Sequence, residues 1–449
     1  MTTTKYSVGR EVHAKVRRLQ IKLWCCAKRN EERRFHALYD RMHSKPILQE
    51  AWWRVRKNGG ASGVDGRTLK DVEAGGVEEF LKGIEESLRE GSYRPLPVRR
   101  VMIPKKTGNG ERPLGIPVIR DRVVQMAASL VLTPIFEADF RACSFGYRPK
   151  RSATDALERI RRLANRGYNH VVDADIESYF TRIDHNHLEE LVARRISDRR
   201  VQKLIRQWLK GGVMEEGVYR ETEVGTPQGG VISPLLSNVM LNELDKAWEN
   251  ANKTWGKLTR FCDDFVIQCV SRKQAEIALR KAQEILKGLK LEMHPKKTRI
   301  VDLSWGKEKM TFLGHTLKKM TSYRFGGKMY LNRWPSGESM KAARRKVQEI
   351  TRRGRFGVKN VREIVPELNR VLQGWGHYFQ SGNANKAFNQ IDRYVHYRLA
   401  LFENRRRGRA KPHWFREFTY AWYRSLGVYN LIGTVRYPNP SLVLVKANA

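Results

Sequence analysis

The sequence predicts an α+β protein, with strands and helices alternating to about residue 318 and a chain almost wholly helical in pattern from about 336. Three observations carry this. Short runs of strand formers recur in the first part, as in Val98–Pro104, His170–Ile176 and Phe265–Val270. Stretches of helical period lie between them, Val77 to Glu90 among these, and beyond 336 that period continues almost without a break.

Along the chain, residues 9–56 have a helical pattern rich in Arg, Lys and Trp that breaks at Gly59-Gly60. Gly63-Val64-Asp65-Gly66 marks a loop before the helix at 77–90. Val98–Pro104 alternates as a strand does, and the glycine-containing loop Lys105–Gly110 turns it back toward Arg112 and Pro113–Pro117. His170–Ile176 reads as a strand that delivers Asp175 at its end, with Tyr179-Phe180 on a turn into a helix. Asp173 shares the face of Asp175 by the strand period and is expected to be salt-bridged or supporting rather than a ligand. No internal repeat or low-complexity tract stands out, and 449 residues suffice for two or three lobes.

The densest chemistry lies at Phe261-Cys262-Asp263-Asp264, which runs on into Phe265–Val270. Strand formers on both sides put the Asp pair where one strand turns back into the next. Adjacent carboxylates repel and gain nothing from burial unless a cation neutralises them. The pair alone also fits a solvated turn. With Asp175 at a second strand end, three acids can hold two Mg²⁺ ions about 4 Å apart, the arrangement that serves phosphoryl transfer.

Composition points the same way. Lys and Arg number 86 against 47 Asp and Glu, for a net charge of +39. With 41% hydrophobic residues this suits a folded protein steered to a polyanion, nucleic acid before an anionic membrane. No run of about 18 apolar residues and no signal peptide is present, so no membrane partner is expected. Cys25, Cys26, Cys143, Cys262 and Cys269 show neither zinc-type spacing nor an even disulfide framework, which fits a reduced cytoplasm.

Further blocks bring a resemblance. Ser144–Pro149 with Ser152-Ala153, then Thr226–Asn238, Pro295–Thr298 and Phe312–His315 stand in order around the two acid blocks. Asp175 with Phe180 five residues on, and the aromatic-x-Asp-Asp hairpin, complete a set similar to bacterial group II intron-encoded reverse transcriptases, from about residue 60 to 435. The resemblance implies a right-hand polymerase with fingers, palm and thumb. It divides the chain into an RNA-binding N-terminal helical extension (1–60), fingers and palm (61–318), a thumb and maturase region (319–435) and a short tail (436–449).

It also implies roles. Asp175, Asp263 and Asp264 would be catalytic and hold two Mg²⁺, or Mn²⁺ as a substitute, with Ile176 beside Asp175 as a further ligand. Lys105 (or Lys106) and Arg112 would reach the triphosphate of a deoxynucleotide, Lys as a point charge and Arg as a fork; the alternative is a solvated basic turn. Gln228, on a tight path set by Pro227 and two glycines, would lie over the nucleotide, or the block is a structural loop. Phe180 would exclude a ribonucleotide 2′-hydroxyl, or simply pack as core; Lys297 would face the leaving pyrophosphate, or be an exposed Lys-Lys pair. His315 is expected to be packed rather than catalytic.

Gly374–Phe379 and Asp392–Val395 resemble the maturase region, where 22 basic residues stand against 7 acidic from 336 onward. Arg405, Arg406, Arg407, Arg409 and Lys411 form the densest run, and Trp414, Phe418, Tyr420, Trp422 and Tyr423 interleave with it. Such a surface suits RNA, while the competing reading is a helical bundle with an aromatic core and solvated arginines. The resemblance implies intron RNA, a DNA target or primer and deoxynucleoside triphosphates as partners, and a bacterial cytoplasm with nucleoid or ribonucleoprotein association; oligomeric state is left open. After 435 no endonuclease pattern is present, as in the shorter members.

The expected activity is RNA-directed DNA synthesis, with a maturase role in splicing and mobility. The alternatives are a free-standing reverse transcriptase in DNA repair or phage defence, and an RNA-binding splicing factor. Departures from the family are Phe261-Cys262 where Tyr-Ala is usual, Glu177-Ser178 where Lys-Gly is usual, and Thr181 where Asp is common. Glu177 would add negative charge near the metals.

Overall fold

The structure is a computed structural model that describes residues 9–104, 110–215, 218–220, 225, 229–250, 254–323, 326–352, 360–408 and 416–436. Lys105, Lys106, Gln228, Arg409, Lys411 and Trp414 lie outside the described residues.

The N-terminal helices are α1 (Arg10–Arg29), α2 (Tyr39–Met42), α3 (Lys45–Asn58), α4 (Leu69–Ala74) and α5 (Val77–Arg89). α3 carries Pro46 in its first turn and stops at Gly59, whose φ of 68° is cheap only without a Cβ. α1 and α3 lay their apolar faces, Trp52 included, on α6 (Ile119–Glu137), a helix buried on nearly all sides. The basic N-terminal segment therefore shares one core with the central part of the chain.

β1 (Val98–Pro104) and β2 (Glu111–Ile116) form the expected antiparallel hairpin, with Ile103 opposite Arg112. β3 (His170–Ala174) lies in a different sheet. β4 (Val213–Glu215) extends β1 in parallel, and β5 (Val218–Arg220) completes a sheet of order β2-β1-β4-β5.

β3 belongs to the central sheet with β6 (Lys257–Phe261), β7 (Asp264–Cys269) and β8 (Arg299–Asp302), in the order β6-β7-β3-β8 and antiparallel throughout. This order matters most for function. Ala174 pairs with Phe265 and Phe261 with Asp264, so the end of β3 and the β6–β7 turn meet at one edge. α7 (Ala153–Asn165), fixed by a Ser152/Asp155 capping box, α11 (Ser233–Asn250) and α12 (Arg272–Gly288) cover the sheet. α8 (Tyr179–Arg182), α9 (His185–Ala193) and α10 (Arg199–Lys210) run from β3 to β4 of the first sheet.

β9 (Met310–Phe312), β10 (His315–Ser322) and β11 (Lys328–Pro335) make a third, antiparallel sheet. The remainder is helical, as the period predicts: α13 (Gly337–Ile350), α14 (Val365–Phe379), α15 (Asn385–Arg406) and α16 (Tyr420–Ser425). These enclose their own core around Val347, Leu368, Leu372, Phe388 and Val395. The fold is mixed α+β, as expected. All five cysteines are free thiols, and no helix among the described residues is long and apolar enough to cross a membrane.

Candidate active site

A two-residue turn, Cys262-Asp263, joins β6 to β7. Cys262 has φ of 61°, and turns of this kind favour glycine there. Asp263 and Asp264 thus stand on a strained turn beside Asp175, which directly follows β3. Withdrawal from water, reinforced by Asp263, Asp175 and Asp173, pushes the Asp264 carboxyl up to about 7. Burial likewise raises Asp263, with Asp175 adding to it. Asp264 still opens onto the cleft, where solvent moderates its neighbours' charges.

Lys297 pairs with one of these acids, its Nζ 2.5 Å from Asp175 Oδ2. Among the described residues no three His, Cys, Asp or Glu side chains converge in ligating geometry. The acids are neighbours, with one of them held by an ammonium. Their chemistry nonetheless suits a hard divalent cation: the donors are all oxygen and anionic, and burial raises both Asp263 and Asp264. Ile176 has a fully packed side chain, so only its carbonyl is available to a metal.

Asp173 pairs with Arg299 at 3.4 Å, in line with the expected supporting role. Glu177 is paired with Arg182 at 3.1 Å, but Arg182 also binds Glu292 at 2.6 Å, so one guanidinium serves two carboxylates and a negative charge remains beside the site, as expected. Phe180 is half-buried, its ring edge-on to Tyr179 with centroids 5.3 Å apart. It packs against the core without being enclosed by it. Arg112 is exposed on β2 and close enough to Tyr147 to bear on its hydroxyl.

The glycine block before α11 does force a close backbone approach, but to protein. A Cβ on Gly229 would lie 2.4 Å from the Gly115 carbonyl of β2, and the Val231 amide donates to Gln125 Oε1 at 2.8 Å. α11 begins at Ser233-Pro234, as predicted. His315 is buried; its Nδ1 lies 3.0 Å from the Leu313 carbonyl, and desolvation holds it down to about 4, so it is a packed neutral histidine. Tyr378 of α14 donates to the same carbonyl at 3.0 Å and stands near Asp264, which brings the C-terminal helices to the edge of the cleft.

A buried ion pair that the sequence does not announce lies under the turn. Arg260 of β6 and Asp245 of α11 are both fully buried and joined by two hydrogen bonds, of 2.9 and 2.5 Å. Arg260 also donates to the Cys262 carbonyl at 2.9 Å and to Asn238 Oδ1 at 3.1 Å; Asn238 Nδ2 donates in turn to the Gly146 carbonyl at 2.9 Å. An arginine in β6 three residues before the Asp pair was the available signal.

In the basic C-terminal run, Arg406 pairs with Glu403 at 2.7 Å, and Arg407 with Glu403 and Glu417 at 2.8 Å each. Arg405 is exposed. Phe418 and Tyr423 are buried and belong to the helical core, whereas Tyr420 is exposed beneath the Arg424 guanidinium, 4.8 Å away. The Asp392 carboxylate caps the Leu431 and Ile432 amides.

Residues 103–317 match the family model for reverse transcriptase (RNA-dependent DNA polymerase), and residues 340–422 that for the group II intron maturase-specific domain. Protein YkfC of Escherichia coli is 37% identical over 300 residues, 59% of this chain and 77% of that protein. The group II intron-encoded protein LtrA of Lactococcus lactis is 41% identical over 214 residues, 47% of this chain and 35% of LtrA. The chain belongs to the group II intron-encoded reverse transcriptase/maturase family. The cleft acids fall inside the polymerase match and α14 and α15 inside the maturase match. Both domains in one chain favour the polymerase-and-maturase reading over a free-standing repair or defence enzyme. The chain spans about a third of LtrA.

Proposed function

We propose that this protein copies intron RNA into DNA and separately binds that RNA to assist its splicing and mobility. The observation that carries the polymerase half is the meeting of Asp175, Asp263 and Asp264 at one sheet edge, with Asp264 pushed up to about 7 by burial and by its acidic neighbours. Asp175, the Ile176 carbonyl, Asp263 and Asp264 would hold Mg²⁺. When bound, the metal pair supplies charge stabilisation for the attacking and leaving oxygens of an in-line displacement.

This chain's own residues do the rest. Lys297 yields Asp175 and turns its ammonium toward the leaving pyrophosphate. Arg112, with Lys105 or Lys106, grips the triphosphate, and Gln228 lies over the nucleotide. Phe180 restricts the sugar pocket, its ring leaving no partner for a 2′-hydroxyl. The primer 3′-hydroxyl is that of the target DNA. The domain division in this reading is an N-terminal basic segment (1–60), polymerase (61–318), thumb and maturase (319–435) and tail (436–449).

In the maturase half, the basic C-terminal helices clamp folded intron RNA through phosphate contacts, with Arg405 the freest of the described run and Arg409 and Lys411 continuing it. Splicing assistance then needs the RNA surface and not the acids. Asp263→Asn separates the halves: polymerisation should be lost while splicing assistance and RNA affinity persist. Loss of splicing assistance in a folded, RNA-binding Asp263→Asn protein would contradict the proposal.

A further inference from the structure

We propose that Arg260 is a positioning residue for DNA synthesis, and that the Asp245–Arg260–Asn238 network holds the Cys262-Asp263 turn in the left-handed geometry that aims the two acids. The proposal rests on the polymerase reading of Asp263 and Asp264.

The side chains of Arg260 and Asp245 are 0% exposed. Enclosing a charged pair so completely seldom stabilises a fold better than well-packed apolar residues of similar volume. A guanidinium offers what an apolar residue cannot, a flat fork of donors that serves several acceptors at once. Here the fork engages both Asp245 oxygens and, from Nη1, Asn238 Oδ1 and the Cys262 carbonyl. That carbonyl belongs to the peptide joining Cys262 to Asp263. Rotation of this peptide swings Asp263 directly and Asp264 through it.

The peptide has reason to rotate. Cys262 has φ of 61°, a region that a residue with a Cβ keeps only when its surroundings impose it. Two impositions are present. Arg260 holds the carbonyl from below. From above, the Gly146 backbone closes on the turn, where a Cβ would stand 2.4 Å from both the Cys262 amide nitrogen and its sulfur. Asn238 ties the two together by donating to the Gly146 carbonyl while accepting from Arg260. The backbone of Arg260 is fixed as well, its amide donating to Cys143 O and its carbonyl accepting from the Phe145 amide, each at 2.9 Å. One arginine thus links β6, α11 and the 143–147 segment at the base of the acids.

The test is Arg260→Lys in the full chain, which keeps the charge and loses the fork. Hydrogen exchange in metal-free protein should rise about tenfold at the amides of 262–265 and stay unchanged elsewhere in β3 and β7. Mn²⁺ affinity by calorimetry and the extension rate should each fall ~10–100-fold, the range for lost support behind metal ligands. RNA affinity and primer KM should hold. Cys262→Gly, which adopts this φ freely, should restore at least about threefold of the rate in the Arg260→Lys background relative to its effect alone.

A purely structural Arg260 would not respond to a change in the turn. Should Arg260→Lys fail to fold, Asn238→Ala leaves the ion pair in place and is read the same way, with smaller shifts in the same direction. Unchanged exchange and Mn²⁺ affinity in a folded variant, or no recovery with Cys262→Gly, would overturn the proposal. Exchange and Mn²⁺ binding are read without polymerisation, so failure here is distinct from failure of the polymerase reading, which Asp263→Asn tests.

Discussion

At the scale of single residues, Asp264 gives the clearest pH prediction. Its folded pKa, about 7, lies above the ordinary carboxylate value of 3.8. The metal-free folded protein therefore holds a proton that the unfolded chain releases. The stability from this group is complete below pH 4 and is lost as pH rises through about 7. Metal-free protein should melt at lower temperature at pH 8 than at pH 5, and Asp264→Asn should flatten that slope, as should a saturating divalent cation. Scanning calorimetry across this window checks it. A second prediction concerns Gly146. A methyl there meets the Cys262 backbone at 2.4 Å, and backbone cannot step aside as a flexible side chain would. Gly146→Ala should cost about 1–3 kcal/mol in denaturant titration, and extension should fall at least about tenfold through the displaced turn.

At the scale of elements, the parts that depend on local pattern were legible in the sequence. The β1–β2 hairpin, the β6–β7 turn with its acids, the delivery of Asp175 by β3 and the start of α11 at Ser233-Pro234 follow from strand period, turn residues and capping. What period cannot reveal is which charges find each other across elements. Glu177 reads as an unpaired charge until α8 supplies Arg182, which it shares with Glu292, and Arg260 reads as unpartnered until α11 supplies Asp245. The Arg405–Arg407 run shows the same limit, because Glu403 and Glu417 hold two of its three members. Arg405→Ala should therefore weaken RNA binding across sequences and lower the salt slope by ~1. Arg406→Ala should act chiefly on the C-terminal end of α15. Filter binding across a salt series distinguishes the two.

At the scale of the whole molecule, a net charge of +39 over three hydrophobic clusters among the described residues separates affinity from chemistry. RNA binding should be dominated by counterion release and fall about 10³-fold or more between 50 and 200 mM salt, as for a protein neutralising several phosphates. Asp263→Asn should leave that dependence intact, since one acid in the cleft is a small part of so large a field. Composition made the polyanion partner legible. The contribution of Tyr378 to the cleft was not, because it needs α14 to fold back against Leu313, and no sequence period encodes that contact.

The most direct measurement is primer extension by the purified protein on an RNA template with deoxynucleotides and Mg²⁺, beside Asp263→Asn. The natural sequence should extend the primer and the variant should lose at least about 10³-fold of that rate, with RNA affinity unchanged. Equal extension by both proteins, or none by the natural sequence despite tight, salt-sensitive RNA binding, would contradict the polymerase reading.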